Sequence, residues 1–531
     1  RRRCPLILDN NLTVVDVVIK ALERLGFFVA FGIPGMWSVP LYNALSESKI
    51  QHVLMRHEQN AVYAADGYAR ASGKVGLCVG TAGPGAVNIA AGLAVPFKDH
   101  SPVLAITGQV PTYERGKDWI EDLDLEAIFS PITKFAAQAS DPSEVYDLVC
   151  KAYSSCLEGC PGPSYVGIPG DIQKRPSKDK GYVPTLSRVE PDPLVLEVAA
   201  TLINEANSPL IIAGWGAILS NASDLVIRLA ERIGAPVVTS MAGRGILPED
   251  HPLSLGPVGR RGNPIANDTL SSCDLLISFG CRLTNLTLYD LKLNCKIIQV
   301  DVEDRNFSTL SNIKVKSDVA LFIEAILPKI RPKPYRQIIE PRGVVPSNST
   351  ALNFAKAIAN FSDATFTVDI GQHTIWIMQT LRVRRPRQII FSGNLSAMGY
   401  SLPASIGVKI ANPQSKVIAV MGDGGFQMSS PELSTIKENN LEIAICVFNN
   451  RSLGLIKQIQ EVIYHKPYGV EYVAPPDYLK LADAYGIKGI RASTPDDVKK
   501  AIENLHEPTL IEIPIPMNES VELSRPRILE D

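Results

Sequence analysis

Two apolar runs that end in oxygen-bearing turns constrain this chain most. Residues Val417-Ile418-Ala419-Val420-Met421 run into Gly422-Asp423-Gly424, and Ile443-Ala444-Ile445-Cys446-Val447-Phe448 run into Asn449-Asn450. Asn450 lies 27 positions beyond Asp423, which leaves room for a strand, a turn, a helix and a second strand. Strands joined through a helix are parallel, so both side chains should emerge at the C-terminal edge of one sheet. Magnesium prefers hard oxygen ligands and often shares its shell with phosphate oxygens. Two turns closing buried strands is an equally open reading of this pair, because Asp-Gly and paired Asn both favour turns.

The same grammar recurs upstream. Residues 53–55 read as a strand, and 58–72 as an Ala-rich helix that Gly73 can cap. A strand over 75–79, a tight turn over 81–85, a helix over 86–94 and a strand over 103–107 follow. From Val75 to Phe97 no residue is charged, which imitates a membrane span. Gly76, Gly80, Gly83, Pro84 and Gly85 interrupt it, so a buried strand-turn-helix unit is the better reading. Further strands are expected at 210–214, 236–239, 275–279 and 297–301. The fold class is therefore α/β, with three Rossmann-like parallel-sheet domains at 1–180, 190–328 and 350–517. A basic, Pro-rich linker spans 329–349 and a polar tail 518–531. A length of 531 residues accommodates this division.

A net charge of −2 gives no nucleic-acid footprint. Nine cysteines without a Cys-x-x-Cys pair point to reduced thiols and a cytoplasmic location. Neither a signal peptide nor a membrane helix is expected. The start at Arg1-Arg2-Arg3, without a methionine, implies that the true N-terminus is missing or processed.

A resemblance then becomes specific. Arg56-His57-Glu58-Gln59, Ala64-Ala65-Asp66-Gly67-Tyr68-Ala69-Arg70, Thr81-Ala82-Gly83-Pro84-Gly85 and Ile106-Thr107-Gly108-Gln109 resemble the first half of a thiamine-diphosphate enzyme. In the last third, Gly371-Gln372-His373, Ala397-Met398-Gly399-Tyr400-Ser401-Leu402-Pro403-Ala404 and the Asp423 motif are similar to the same superfamily, in the same order. The nearest branch is the acetohydroxyacid (acetolactate) synthase large subunit. The resemblance implies a pyrimidine-binding first domain, a central domain of FAD or ADP type, and a diphosphate-binding third domain. It implies decarboxylation of a small 2-oxo acid, with carboligation of the resulting enamine. It also implies a homodimer or homotetramer whose active site lies between subunits; a regulatory small subunit stays unassigned.

Carried onto this sequence, the resemblance makes Glu58 the partner of the aminopyrimidine nitrogen, a proton-exchange task for a partly desolvated carboxyl. The competing role for Glu58 is a helix-terminal carboxylate paired with Arg56. Met398 would wedge between the cofactor rings. Cofactor contacts fall at Pro34, Gly35, Gly83, Asn88, Gly371, Gln372, His373, Gly424 and Gly425. Asp423 and Asn450 would ligate magnesium by side chains and Ser452 by its carbonyl. Ile120, Leu455 and Ile459 would line the substrate pocket. For FAD or ADP, the candidate glycine loops are Ala213-Gly214-Trp215-Gly216 and 256–262, with Asp301 and Glu303 as ribose ligands.

The chain also departs from the synthase pattern. Typical synthases carry Trp at Ile459, an acidic pair and an Arg at Thr284-Asn285-Leu286, and Phe-Gln at Ile120-Glu121. An acid at Glu121 resembles 2-hydroxyacyl-CoA lyases and oxalyl-CoA decarboxylases, and would protonate the carbanion or relay a proton to product. A solvated loop carboxylate among Asp118, Asp122 and Asp124 is the other reading of Glu121. Simple decarboxylation, a CoA-type lyase and a non-catalytic homologue therefore stay open beside the synthase.

Overall fold

The computed structural model describes residues 12–259, 262–289, 291–334 and 349–522. The Arg1-Arg2-Arg3 start, Arg260 and Arg261 of the second glycine loop, most of the linker and the tail from 523 onward lie outside the described residues.

Among the described residues eighteen strands form three six-stranded sheets, with every ladder pair parallel. The first holds β1 (Val29–Gly32), β2 (Gln51–Leu54), β3 (Gly76–Gly80), β4 (Val103–Gln109), β5 (Phe135–Gln138) and β6 (Ser164–Pro169). Its order is β2-β1-β3-β4-β6-β5. The second holds β7 (Pro209–Ala213), β8 (Val237–Thr239), β9 (Ser254–Pro257), β10 (Leu275–Phe279), β11 (Lys296–Asp301) and β12 (Ile313–Lys316), in the order β12-β11-β10-β7-β8-β9. The third holds β13 (Thr365–Val368), β14 (Ile389–Phe391), β15 (Val417–Gly422), β16 (Ile443–Asn449), β17 (Lys488–Arg491) and β18 (Thr509–Pro514), in the order β14-β13-β15-β16-β18-β17. The outer sheets are thus topological twins. Only the central one has the strand order of dinucleotide-binding sheets.

The expected elements form for the expected reasons. The Glu58–Ser72 helix starts at His57, whose ring accepts the Gln59 N–H, and stops at Gly73 in the left-handed region. The charge-free tract is strand β3 followed by the Pro84–Asp99 helix. That helix starts two residues earlier than the sequence implied, because proline is well suited to a helix's first turn. Among the described residues no helix is long and apolar enough to cross a membrane.

The first and third sheets meet where the Glu58–Ser72 helix crosses the Ser401–Ala411 helix. A Cβ on Gly67 would collide with the Ala404 carbonyl, and one on Gly407 with the Ala64 carbonyl. Beside this crossing Arg70 is buried between two acids. Its Nε donates to Asp66 at 3.0 Å and an Nη to Asp99 at 3.1 Å. The Tyr400 hydroxyl donates to the second Asp66 oxygen at 2.6 Å, and the other Arg70 Nη donates to the Phe391 carbonyl at 3.0 Å. Asp66 and Tyr400 are wholly buried. The central sheet docks through a second buried pair, Arg244–Glu249, at 2.7 Å. Arg244 also donates to the Met378 carbonyl at 3.0 Å and the Leu381 carbonyl at 2.5 Å, holding the end of the Gln372–Thr380 helix.

Removing one member of a buried charge cluster strands the others. Arg70→Met is therefore expected to lower the unfolding free energy by about 3–5 kcal/mol, read as a shift of the urea midpoint.

Candidate functional site

In an open parallel sheet, ligands collect at the C-terminal strand ends where the strand order reverses. Each of the three sheets places chemistry at that point. In the first sheet the reversal lies between β1 and β3. Pro34 and Gly35 follow β1, and the Thr81–Gly85 turn follows β3. A Cβ on Gly35 would press on Thr81, and one on Gly85 would lie 3.3 Å from Glu58 Oε1. The other Glu58 oxygen accepts the Asn88 amide at 2.9 Å. Arg56 is not its partner: the guanidinium bonds Ser434 at 2.9 Å and pairs with Glu438. The carboxyl is thus held by an amide rather than neutralised by a cation.

Glu121 reaches the same turn. A Cβ on Gly83 would stand 2.8 Å from the Glu121 Cβ, and both residues have positive φ, 57° and 64°. Among the described residues Glu121 Oε2 is buried without a hydrogen-bond partner. This differs from the solvated loop carboxylate that its acidic neighbours suggested. Its neighbour Ile120 is 72% exposed.

In the third sheet the reversal lies between β13 and β15, and a cavity of about 90 Å³ sits there. Asp423 opens the Asp423–Ser429 helix after β15, and Asn450 and Ser452 follow β16. All three are buried and line the cavity, with Gly371, Gln372, His373, Met398, Gly424, Gly425 and Leu455. Asp423 Oδ1 accepts the Gly424 N–H at 2.9 Å, and Asn450 Oδ1 accepts the Ser452 N–H at 3.1 Å. Among the described residues Asp423 Oδ2, Ser452 Oγ and His373 Nε2 are buried without a partner. Burial pushes the Asp423 carboxyl up to about 7, against the pull of backbone N–H groups, and pushes His373 down to about 4. In both, the charged form lacks solvent. A Cβ on Gly424 would stand 2.8 Å from Leu453 and 2.9 Å from the Tyr472 hydroxyl. The glycine thus lets Leu453 and Tyr472 pack directly against the backbone cradle at the start of this helix.

Among the described residues no three His, Cys, Asp or Glu side chains cluster around a metal position. A cation here would rest on one carboxylate plus amide, hydroxyl or carbonyl oxygens, which suits magnesium better than zinc. The orphaned oxygens and the glycine cradle fit a hard cation that carries phosphate oxygens.

Other expected residues sit differently. Gln372 lines the cavity, but its amide nitrogen donates to Gln458 at 2.9 Å and to the Glu519 carbonyl at 2.8 Å. Ile459 lies one turn beyond Leu455 on the Gly454–Tyr464 helix and is not among the lining residues. Nor does any first-sheet residue line this cavity.

The sequence reading missed Asp369, which directly follows β13 and lies buried beneath the cavity. Its carboxyl accepts the N–H groups of Ile370 at 2.8 Å and Gly399 at 2.9 Å, and burial pushes it up to about 7. The available signal was its place after the alternating Thr365-Phe366-Thr367-Val368 and before Gly371-Gln372-His373.

A cavity of about 540 Å³ opens at the central reversal, between β7 and β10. Gly214, Trp215, Gly216, Gly280, Arg282 and Asp301 line it, and a Cβ on Gly214 would collide with the Gly280 carbonyl. Leu286 lines this cavity too, away from Asp423. Glu303 is not among the lining residues; it accepts the Cys160 N–H at 3.2 Å.

Three family models match the chain in order. They are the N-terminal TPP binding domain of thiamine pyrophosphate enzymes over residues 12–128, the central domain over 196–326, and the C-terminal TPP binding domain over 369–513. A probable acetolactate synthase large subunit of Methanocaldococcus jannaschii is 37% identical, covering 96% of this chain and 93% of that protein. The acetolactate synthase large subunit of Porphyra purpurea is 33% identical, covering 97% and 94%. That of Lactococcus lactis is 32% identical, also covering 97% and 94%.

The cradle can be tested alone. Gly424→Ala is expected to keep the fold yet weaken binding of inorganic pyrophosphate with magnesium by about tenfold or more, since a strained backbone–ligand contact costs about 1–3 kcal/mol. Titration calorimetry reads this directly.

Proposed function

The chain belongs to the thiamine pyrophosphate enzyme family, and on that premise we propose that it works as an acetolactate-synthase-like large subunit. It is a thiamine-diphosphate-dependent enzyme that decarboxylates a 2-oxo acid and forms a new carbon–carbon bond. The observation that carries the site assignment is the convergence of Asp423 Oδ2, Ser452 Oγ and His373 Nε2, all orphaned, on one glycine-cradled cavity.

Bound thiamine diphosphate supplies an acidic carbon on its thiazolium ring and an electron sink for the charge that decarboxylation leaves. The residues of this chain do the rest. Asp423 and Asn450 hold magnesium by their side chains and Ser452 by its carbonyl. His373 and the Gly424-Gly425 backbone would face the diphosphate, and Gly371, tied to Thr374, would shape the turn before them. Gln372 joins them by giving up its protein partners. Met398, on the cavity wall, would pack against the cofactor between its two rings, a task suited to a flexible apolar side chain. Glu58 would exchange a proton with the aminopyrimidine nitrogen, and Asn88 would fix the carboxyl for that exchange. Pro34, Gly35 and Gly83 shape the turns around the pyrimidine. Ile120, Leu455 and Ile459 flank the substrate.

Glu58 belongs to the first sheet and Asp423 to the third, and no first-sheet residue lines the Asp423 cavity. We therefore assign the complete site to two copies of the chain, each lending one half. Residues 1–180 then form the pyrimidine domain and 350–517 the diphosphate domain. The central cavity, with its glycine crossing and the Asp301 carboxylate, takes FAD or ADP. The scattered cysteines support a cytoplasmic enzyme.

The unpartnered Glu121 oxygen favours a second reading of the later half of the reaction. A carboxyl held at the Gly83 end of the turn that Glu58 also approaches can deliver a proton to the product and release an aldehyde instead of a ligated acid. Carbon-13 NMR of products from labelled pyruvate, with thiamine diphosphate, magnesium and FAD, separates the two. Acetolactate is expected. Acetaldehyde alone would establish the protonating reading, and unchanged pyruvate would overturn the donor assignment.

Glu58→Gln is expected to slow hydrogen–deuterium exchange at the thiazolium carbon by about 10²–10⁴-fold, with cofactor affinity largely kept. Exchange at the wild-type rate would remove Glu58 from its role.

A further inference from the structure

Three segments meet beneath the third-sheet cavity, and one side chain touches all of them. Asp369 leaves the end of β13 and is 1% exposed. Its Oδ1 accepts the Ile370 N–H at 2.8 Å, and its Oδ2 accepts the Gly399 N–H at 2.9 Å. The same carboxyl faces the N–H groups of Tyr400 and Ser401. Its own carbonyl accepts the Thr374 hydroxyl, whose oxygen accepts the Gly371 N–H at 2.9 Å. A Cβ on Gly425 would collide with Asp369 Oδ2, so the Gly424-Gly425 turn rests directly on the carboxylate.

The segment that needs this anchor is the one carrying Met398. Between β14 and the Ser401–Ala411 helix no regular element forms, and Asn394, Leu395 and Ser396 are exposed. Gly399 has φ 78°, a left-handed turn that glycine adopts without strain. Its N–H is therefore aimed inward at Asp369, and the preceding residue, Met398, is left at the cavity wall. Only a carboxylate suits this place: both of its oxygens accept, whereas an amide would turn N–H donors toward N–H donors.

We infer that Asp369 is the positioning residue that holds Met398, the Gly371–His373 turn and the Gly424-Gly425 turn in one register, and so sets the shape in which the cofactor is received. This rests on the reading that thiamine diphosphate occupies the cavity. Asp369 reaches the cofactor only through these backbone segments.

Two measurements test the role. In the wild-type protein without ligand, the Gly399 amide is expected to exchange hydrogen as slowly as a strand amide, while that of the exposed Leu395 exchanges fast. Fast exchange at Gly399 overturns the inference, and this arm needs neither a variant nor a cofactor. In Asp369→Asn, Gly399 exchange is expected to become fast, and calorimetric Kd for thiamine diphosphate with magnesium to rise about 10–100-fold, the range for loss of hydrogen bonds to a charged acceptor. A folded variant with wild-type Kd and a protected Gly399 amide overturns it. Failure of the wild-type protein to bind thiamine diphosphate would instead overturn the cofactor reading, leaving Gly399 exchange to decide the part played by Asp369.

Discussion

Everything at the two outer sheets depends on the crossing of the Glu58–Ser72 and Ser401–Ala411 helices. The glycines at the contact bring backbone against backbone, and Gly67 and Gly407 leave no room for a methyl group. Close approach removes water from Asp66, Arg70, Asp99 and Tyr400, and each then requires the others. Glu58 begins one of these helices, and the Met398 segment leads directly into the other. The seam therefore does more than join two domains. It fixes the angle at which the helix that Glu58 begins is held relative to the Met398 segment.

Legibility followed burial. Central strands such as β15 and β16 are continuous apolar runs, and their ends placed Asp423 and Asn450 on one edge from spacing alone. Edge strands gave little signal. β17 is Lys488–Arg491, mostly exposed, and shows no apolar alternation. Among site residues, those in short glycine motifs were readable because the turn itself is the device. Asp369 was not, because its function is to receive N–H groups from Gly399 onward, 30 positions away. Such a partner is set by tertiary packing, not by local pattern. Gln372 was legible as a cavity residue, but its bonds to Gln458 and Glu519 depend on where a distant segment lies. Arg56 illustrates the converse: proximity in sequence suggested Glu58, yet the seam between sheets supplies Glu438.

The twin strand orders of the outer sheets give one chain two crevices of the same kind, furnished differently. Each sheet reverses at the same point, so each offers a crevice at the same edge. One crevice is furnished with a carboxyl beside an amide, Glu58 and Asn88. The other has a buried carboxyl beside backbone N–H groups, Asp423 and Gly424. The central sheet, with its different order, opens a larger cavity against both neighbours: Arg70 and Asp99 from the seam also line it. A ligand there would touch the same ion cluster that fixes the two outer helices.

The hydrogen bonds of Gln372 carry an energetic consequence. Its amide nitrogen already holds the Glu519 carbonyl, and Gln458 clasps Val521 at both its N–H and its carbonyl. An incoming anion that takes the Gln372 amide does not add a bond; it swaps one, and either Gln458 or the Glu519 carbonyl gives up its share of that nitrogen. The cost of this exchange is set outside the cavity, by how firmly Gln458 and the 519–521 backbone hold each other.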